Sequence, residues 1–365
     1  MMKITLIKMT LFSKKLYALN AVLLFLTTIL LVPSSLQVKS KNIIGAGASF
    51  PYPLYAKMFN RYYKETGTKI NYQSIGSGGG IRQLKASVIE FGATDTFLND
   101  DDLAQITAKG QKALHIPIVL GAVSVTFNLK NNSKKLNLDG STLAEIFMGK
   151  ITKWNDPKLI ALNKNASLPN QPIIVVHRSD GSGTTAVFSG FLAYSSPAWK
   201  KQLGTGKSLN WFKGSVGAKG NEGVTAQVKS IPGAIGYISL NYALAAKLPV
   251  IAIENADKKF IAPSVATVSA AAKKLPKDSR ISLSEQPTRA NGYPISTFTW
   301  IIVYQDQNYL NRTRDQAQAL KNLLTWMLTD GQSETQPLHY APLSTTAKKV
   351  ALDIVKQMKF NKKPL

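Results

Sequence analysis

The sequence predicts an α/β fold with its site at the ends of strands, and three observations predict it. At three separate places an apolar or alternating run passes through small polar residues into apolar residues at helical spacing. Each junction carries a hydroxyl: Ser49, Ser77 and Ser182. In open α/β sheets a ligand sits in the crevice beyond the carboxyl ends of the strands. Three such ends aimed at one point would surround an anion with N–H dipoles and hydroxyl donors.

Taken in order, the first forty residues are expected to be a secretory signal peptide. Residues 1–15 carry Lys3, Lys8, Lys14 and Lys15 and no acid. Residues 16–32 are apolar apart from Tyr17, Asn20, Thr27 and Thr28, and Ser34, Ser35 and Ser40 follow. Charged, then apolar, then small is the order of a cleaved signal. The broken apolar stretch falls short of the roughly 20 residues of a membrane span. Removing it leaves a length suited to two domains, at about 100–200 residues each.

Asn42-Ile43-Ile44-Gly45-Ala46-Gly47-Ala48-Ser49-Phe50-Pro51 reads as a short strand running into a Gly/Ala turn, with a helix over 52–63 after it. Leu54, Met58, Phe59 and Tyr62 form its apolar face. Ser49, just before it, also suits a plain N-cap. Residues 69–75 alternate as a strand and run into Gly76-Ser77-Gly78-Gly79-Gly80, then a helix with Ile81, Leu84 and Val88 on one face. The glycines do not have dinucleotide-binding spacing. Residues 91–94 form a short strand ending on Asp95.

The fourth stretch is the most polar. The strand 172–176 feeds His177-Arg178-Ser179-Asp180-Gly181-Ser182-Gly183-Thr184-Thr185, and a helix starts there. Small residues leave N–H groups at the helix start uncovered, and Arg178 adds a planar fork of donors suited to a tetrahedral oxyanion. Asp180 is expected to orient a cation or a loop amide. His177 reads as a structural histidine at a strand end. A C-terminal helix over 314–328 would bury Ala317, Leu320, Leu324 and Met327.

Of the net charge of +25, lysines of the first forty residues carry five, leaving about +20 for the rest. Such a balance attracts anions. Nucleic acid is not expected, because aromatic RNA-binding strands, zinc-finger spacing and arginine-rich tracts are missing. The chain has no cysteine, which leaves no site for a lipid anchor, a disulfide or a thiolate metal site. His115, His177 and His339 show no metal-ligand spacing. Gly204-Thr205-Gly206-Lys207-Ser208 resembles the end of a P-loop, but Lys201 stands where the first glycine belongs. It reads as a basic surface hairpin.

Across Gly45-Ala46-Gly47-Ala48-Ser49-Phe50-Pro51, residues 72–80, Phe91-Gly92-Ala93-Thr94-Asp95 and residues 177–184, the chain resembles the periplasmic phosphate-binding proteins of ABC-type phosphate transporters. Residues 231–237 and 292–295 match as well, in order and at similar spacing. The resemblance implies a periplasmic binding protein-like fold, two α/β lobes joined by a two-segment hinge with the ligand in the cleft. Lobe 1 would comprise residues 41–122 and 296–365, and lobe 2 residues 123–295. The crossings are expected within 118–125 and near 295–303. Phosphate ligands are implied at Ser49, Phe50 (through its backbone N–H), Ser77, Asp95, Arg178, Ser182, Gly183 and Thr184. Ser49 stands where the family often has threonine, and the hydroxyl is kept. A monomer without cofactor or catalysis is implied, periplasmic, delivering inorganic phosphate to a membrane permease.

Asp95 beside an anion makes sense once protonation is considered. Hydrogen phosphate keeps a proton that a carboxylate accepts; sulfate offers none, and an unsatisfied buried polar group costs about 1–3 kcal/mol, more when charged. Arg178 is expected to pair with Asp95 across the cleft and keep it ionised. Competing readings are a binding protein for sulfate, molybdate or arsenate, a phosphatase or phosphotransferase, and an adhesin. The enzyme reading lacks a metal cluster or an activated nucleophile. Asp95 argues against sulfate and molybdate, though not against arsenate.

Overall fold

The computed structural model describes residues 42–130 and 135–365; the expected signal peptide, residues 1–40, lies outside them. The described chain begins with β1 (Asn42–Gly47), α1 (Tyr52–Thr66), β2 (Lys69–Ser74), α2 (Ser77–Lys85), β3 (Phe91–Thr94), α3 (Asp100–Thr107) and β4 (Ala113–Phe127). Next come β5 (Asn137–Leu138), α4 (Gly140–Phe147), α5 (Pro157–Leu162), β6 (Ile174–Arg178), α6 (Gly183–Ser195) and α7 (Pro197–Gln202). They are followed by β7 (Val216–Ala218), α8 (Gly220–Ser230), β8 (Ala234–Ser239), α9 (Leu240–Ala245), β9 (Ala252–Glu254), β10 (Phe260–Ile261) and α10 (Val265–Ala271). The return segment holds β11 (Ser296–Tyr304), α11 (Arg314–Leu328), α12 (Thr345–Val355), β12 (Lys359–Phe360) and β13 (Lys363–Pro364).

Eight strands make one mixed sheet in the order β2-β1-β3-β11-β4-β8-β6-β7. β1 runs parallel to β2 and β3, and β6 runs parallel to β7 and β8. These parallel sets are the strand–turn–helix units that the sequence signals. Between them lies β4, fifteen residues long and buried over nearly its whole length, as a near-continuous apolar run in a central strand should be. β4 pairs with β11 up to Ala122 and with β8 from Val123 onward. At the changeover the Val123 N–H donates to the Ile295 carbonyl at 2.8 Å.

Pro117 sits inside β4, where a missing N–H breaks the ladder. The β11 register shifts between Thr299 and Trp300, opposite this proline. The bulge absorbs the lost donor.

α1 begins with a proline in its first turn and ends at Gly67, whose φ of 70° is the left-handed cap geometry that favours glycine. Its expected apolar face is buried, with Tyr55 added. α11 spans the expected residues, opens with a Thr313/Gln316 capping box, and buries Ala317, Leu320, Leu324 and Met327 against α1, β1 and α12.

Three expectations are corrected. α2 stops at Lys85, and Ser87 at φ 56° turns the chain, so Val88 leaves the apolar face and is 54 % exposed. The fourth strand covers Ile174–Arg178 rather than 172–176, because His177 and Arg178 still pair with Gly217 and Ala218 of β7. Residues 204–208 form no hairpin: the Lys207 carbonyl takes the Ser182 N–H at 2.8 Å, and Gly206 and Ser189 exchange hydrogen bonds. The loop is tied to the polar turn after β6, while Thr205 and Ser208 stay exposed.

Candidate functional site

Four strand ends and their helix starts meet at one point. After β1, Gly47 turns the chain at φ 147°, where a Cβ would lie 2.1 Å from the Ala93 carbonyl; only glycine fits. Ser49 and Phe50 follow. After β2, Gly76 at φ 81° places Ser77 in the first turn of α2. β3 ends beside Asp95, and β6 ends on Arg178, with Ser182 capping α6 and Gly183 and Thr184 in its first turn. Ser49, Ser77, Asp95, Arg178, Ser182 and Thr184 are each no more than 4 % exposed, so the site is enclosed.

Gly183 ties the two sides together. A Cβ on it would stand 2.5 Å from Ser77 Oγ and 2.7 Å from Asp95 Oδ2. The missing side chain lets the start of α6 pack directly against the serine and the aspartate. Ser77 Oγ is fully buried and has no hydrogen-bond partner. Buried hydroxyls in native proteins almost always have a partner, so this one points to a ligand. Ser182 Oγ accepts the Thr185 N–H at 3.0 Å as an N-cap, which leaves its own O–H to donate.

Arg178 is held edge-on by Asp180, through Nε to Oδ1 at 2.7 Å and Nη2 to Oδ2 at 2.5 Å. Asp180 also accepts the Gly220 N–H at 3.1 Å, so it orients both a cation and a loop amide, as anticipated. Burial alone would raise the Asp180 carboxyl, but the hydrogen bond and charge of Arg178 hold it below its ordinary value. The remaining edge of the guanidinium reaches Thr184 Oγ1, with Nη1 at 3.4 Å.

The expected ion pair between Arg178 and Asp95 is not formed. Asp180 is two residues away on the same turn and occupies the guanidinium fork, so Arg178 acts on Asp95 only through its charge. Asp95 instead accepts from Thr299 Oγ1 at 3.2 Å, while Thr297 Oγ1 donates to its carbonyl at 2.9 Å. The two threonines are two apart on β11 and so share one face of the sheet. Burial pushes the Asp95 carboxyl up to about 7, against the lowering effect of the Arg178 charge and of the Thr299 and Thr184 hydroxyls. A buried carboxyl beside a single cation that is already paired is expected to behave this way.

Ser49 Oγ accepts from the Asn221 backbone N–H at 3.0 Å and from Asn221 Nδ2 at 2.9 Å. Tyr242 donates to the Ser49 carbonyl at 3.0 Å, and Tyr340 to that of Phe50 at 2.6 Å. The Phe50 ring is buried edge-on to Tyr340. His177 stacks on Trp211 with ring centroids 4.6 Å apart, and its Nδ1 lies 3.0 Å from the Arg178 carbonyl; it packs beside the site and reaches it only through that backbone oxygen.

The site is closed by backbone. The Gly78 N–H donates to the Gly181 carbonyl at 2.8 Å, joining the turn after β2 to the turn after β6. Beside this seam lies a cavity of about 560 Å³ that reaches Asp95 and is lined by Arg82, Lys85, Lys207 and Trp300 among others. Lys85 pairs with Asp102 at 2.6 Å, whereas among the described residues Arg82 and Lys207 have no carboxylate within ion-pair distance. Burial lowers the Lys207 ammonium below its ordinary value.

The structure thus brings all eight sequence-predicted residues to one place. Sequence reasoning missed Asn221, Thr297, Thr299 and Tyr242. Asn221 carried a signal: β7 passes through Gly220 at φ 72° into α8, the same strand–glycine–helix punctuation without a serine. The threonines of β11 looked like ordinary strand residues. Among the described residues no group of three His, Asp or Glu gathers to hold a metal.

A profile of the PBP superfamily domain matches residues 33–331. The phosphate-binding protein PstS of Xylella fastidiosa strain 9a5c is 43 % identical over 317 residues, covering 85 % of this chain and 84 % of that protein. PstS of Haemophilus influenzae is 41 % identical over 312 residues, covering 84 % and 90 %. Among solved structures, the high-affinity periplasmic phosphate-binding protein PfluDING bound with phosphate aligns with a TM-score of 0.68 at 22 % identity, over 84 % of this chain and 92 % of that one. An ABC-type phosphate transport receptor from Vibrio cholerae aligns with a TM-score of 0.54 at 16 % identity, over 82 % and 100 %. At such identities the structural likeness concerns the fold.

Proposed function

The chain belongs to the PstS family of phosphate-binding proteins, within the PBP superfamily, and from that premise we propose that it captures inorganic phosphate and hands it to an ABC-type import permease. The observation that carries the reading is the fully buried, unpartnered Ser77 hydroxyl, which stands with the Asp95 carboxyl against the Gly183 backbone at the start of α6. Donors from Ser49, Ser77, Arg178, Ser182 and Thr184, with the N–H groups of Phe50, Gly183 and Thr184, converge on an anion the size of phosphate. The N-termini of α2 and α6 add partial positive charge.

Asp95 then supplies selectivity. Hydrogen phosphate donates its remaining proton to the carboxylate, which turns an acceptor–acceptor clash into a charge-assisted hydrogen bond. With a pKa of about 7, Asp95 stands near the point at which it and a phosphate share one proton at neutral pH. The protein binds and releases and breaks no bond.

Closure is proposed to move residues 41–122 with 296–365 against residues 123–295. In support, β4 changes partner between Ala122 and Val123, and Val123 bonds Ile295 beside the start of β11. The rims of both halves around the seam would meet the permease. PfluDING is a periplasmic protein, and with the signal-like residues 1–40 this supports export to the periplasm.

Calorimetry on the purified protein, stripped of endogenous ligand, tests this at a pH well above 7, where Asp95 is ionised. Phosphate is expected to bind tightly while sulfate gives no signal. Equal binding of both would remove the role given to Asp95, and binding of neither by folded protein would overturn the function.

A further inference from the structure

Asn221 is fully buried in the first turn of α8 and stands outside the ligand set considered above. Its side-chain oxygen accepts the Ser239 N–H at 2.8 Å, which sets the amide orientation: the nitrogen must face the other way. That nitrogen donates to Ser49 Oγ at 2.9 Å and to Thr184 Oγ1 at 3.2 Å. Each of these hydroxyls has a second N–H donor, the Asn221 backbone at 3.0 Å for Ser49 and Arg178 Nη1 at 3.4 Å for Thr184.

A hydroxyl has one O–H and two acceptor lone pairs. Both lone pairs of Ser49 Oγ and of Thr184 Oγ1 are therefore occupied by N–H groups. What remains on each oxygen is its proton, which can only donate. Left to itself, a serine or threonine hydroxyl can turn either way, and half of its options would present a lone pair to an anion. Asn221 removes those options. Ser49 follows β1, whereas Asn221 and Thr184 belong to the elements around β6 and β7, so the same amide also spans the seam.

We infer that Asn221 is a positioning residue: it makes Ser49 and Thr184 obligate donors to the anion and latches the two halves of the sheet when they meet. The inference rests on the phosphate reading above. It predicts that the contribution of Asn221 passes through the two hydroxyls and vanishes with them.

The test is a double-mutant cycle read by calorimetry with inorganic phosphate. Asn221→Ala is expected to weaken binding about ten- to a hundredfold, the loss of one or two well-placed donors. In Ser49→Ala or Thr184→Val backgrounds the same change is expected to cost measurably less, beyond the roughly twofold scatter of independent sites. Asn221→Asp keeps the bond from Ser239, and so the local fold, but offers an acceptor to both hydroxyls. It should weaken phosphate more than Asn221→Ala does, with the excess shrinking in the hydroxyl-free backgrounds. If Asn221→Ala does not fold, the Asp variant carries the cycle alone. Equal cost in every background, or wild-type affinity in both variants, overturns the inference while leaving phosphate binding intact. Failure of the wild-type protein to bind phosphate overturns the reading beneath it instead.

Discussion

The ends of β1, β2 and β3 present two serine hydroxyls and a carboxylate, whereas the ends of β6 and β7 present a guanidinium, its counter-ion and a helix start rich in small residues. The first group has no fixed cation aimed at the gap. The second has no acceptor facing it except through Asp180, which Arg178 already occupies. An anion is thus attracted from one side and inspected from the other, and the bond network is complete only when both are in place. The comparison separates affinity from selectivity and assigns each to different residues.

The largest expected effect breaks the attracting side. Arg178→Ala removes the charge and strands Asp180 in a half-buried site. Removing one partner of a buried, hydrogen-bonded charge pair between protein and ligand costs about 2–5 kcal/mol, so phosphate affinity should fall by roughly one and a half to three and a half orders of magnitude, read by calorimetry. Arg178→Lys keeps the charge but not the planar fork, and recovery of wild-type affinity in that variant would show that charge alone suffices.

Asp95→Asn tests the inspecting side. Sulfate should become a competitor of phosphate in the variant, in an equilibrium displacement assay, since the amide can donate to an anion without protons. The wild-type protein should mimic this at low pH. Below about 7 Asp95 is neutral and can donate, so sulfate exclusion should weaken as pH falls through 7 and strengthen as it rises. The same shift bears on stability. The native state holds a proton that the unfolded chain releases between the ordinary carboxylate pKa and about 7. Stability of the ligand-free protein therefore falls as pH rises through that window. Asp95→Asn should abolish the decline and gain roughly 2–4 kcal/mol at pH 8 in denaturant unfolding.

Gly183→Ala tests the space between the two sides. Its methyl would stand 2.5 Å from Ser77 Oγ and 2.7 Å from Asp95 Oδ2 and push them apart, so phosphate should weaken by about ten- to a hundredfold, the range of an overpacked buried contact. Unchanged affinity would mean that the anion lies elsewhere. The smallest effect is at the mouth. Lys207→Ala should slow association by less than about tenfold and flatten its salt dependence in stopped-flow measurements, as expected for a partly buried steering charge.

Much of this was legible because turns announce themselves. Ser49, Ser77, Ser182 and Asp95 each sit where a strand pattern stops and a glycine or helix pattern starts, and those breaks are local. The residues that were missed act from far along the chain. Thr297 and Thr299 reach Asp95 only because β11 returns some 200 residues later to lie beside β3. The pairing of Arg178 with Asp180 rather than Asp95 was likewise not legible, since either acid is chemically suitable and only the geometry of the turn chooses. Val88 misled because the helical pattern continued past the point where Ser87 ends the helix.

β4 carries one last consequence. It is a single fifteen-residue strand that belongs to both ladders, with no loop at the changeover. Any rotation of one half against the other must therefore be taken up as torsion of a hydrogen-bonded ribbon, distributed over several residues around Ala122. Gly121 lies there with the Phe50 ring close against its backbone, 2.6 Å from where a Cβ would be, so the ribbon beside the changeover is braced by the residue next to Ser49. Such an element behaves as a torsion spring rather than a free pivot. Its stiffness, set by residues that never touch the anion, would govern how fast the molecule reopens.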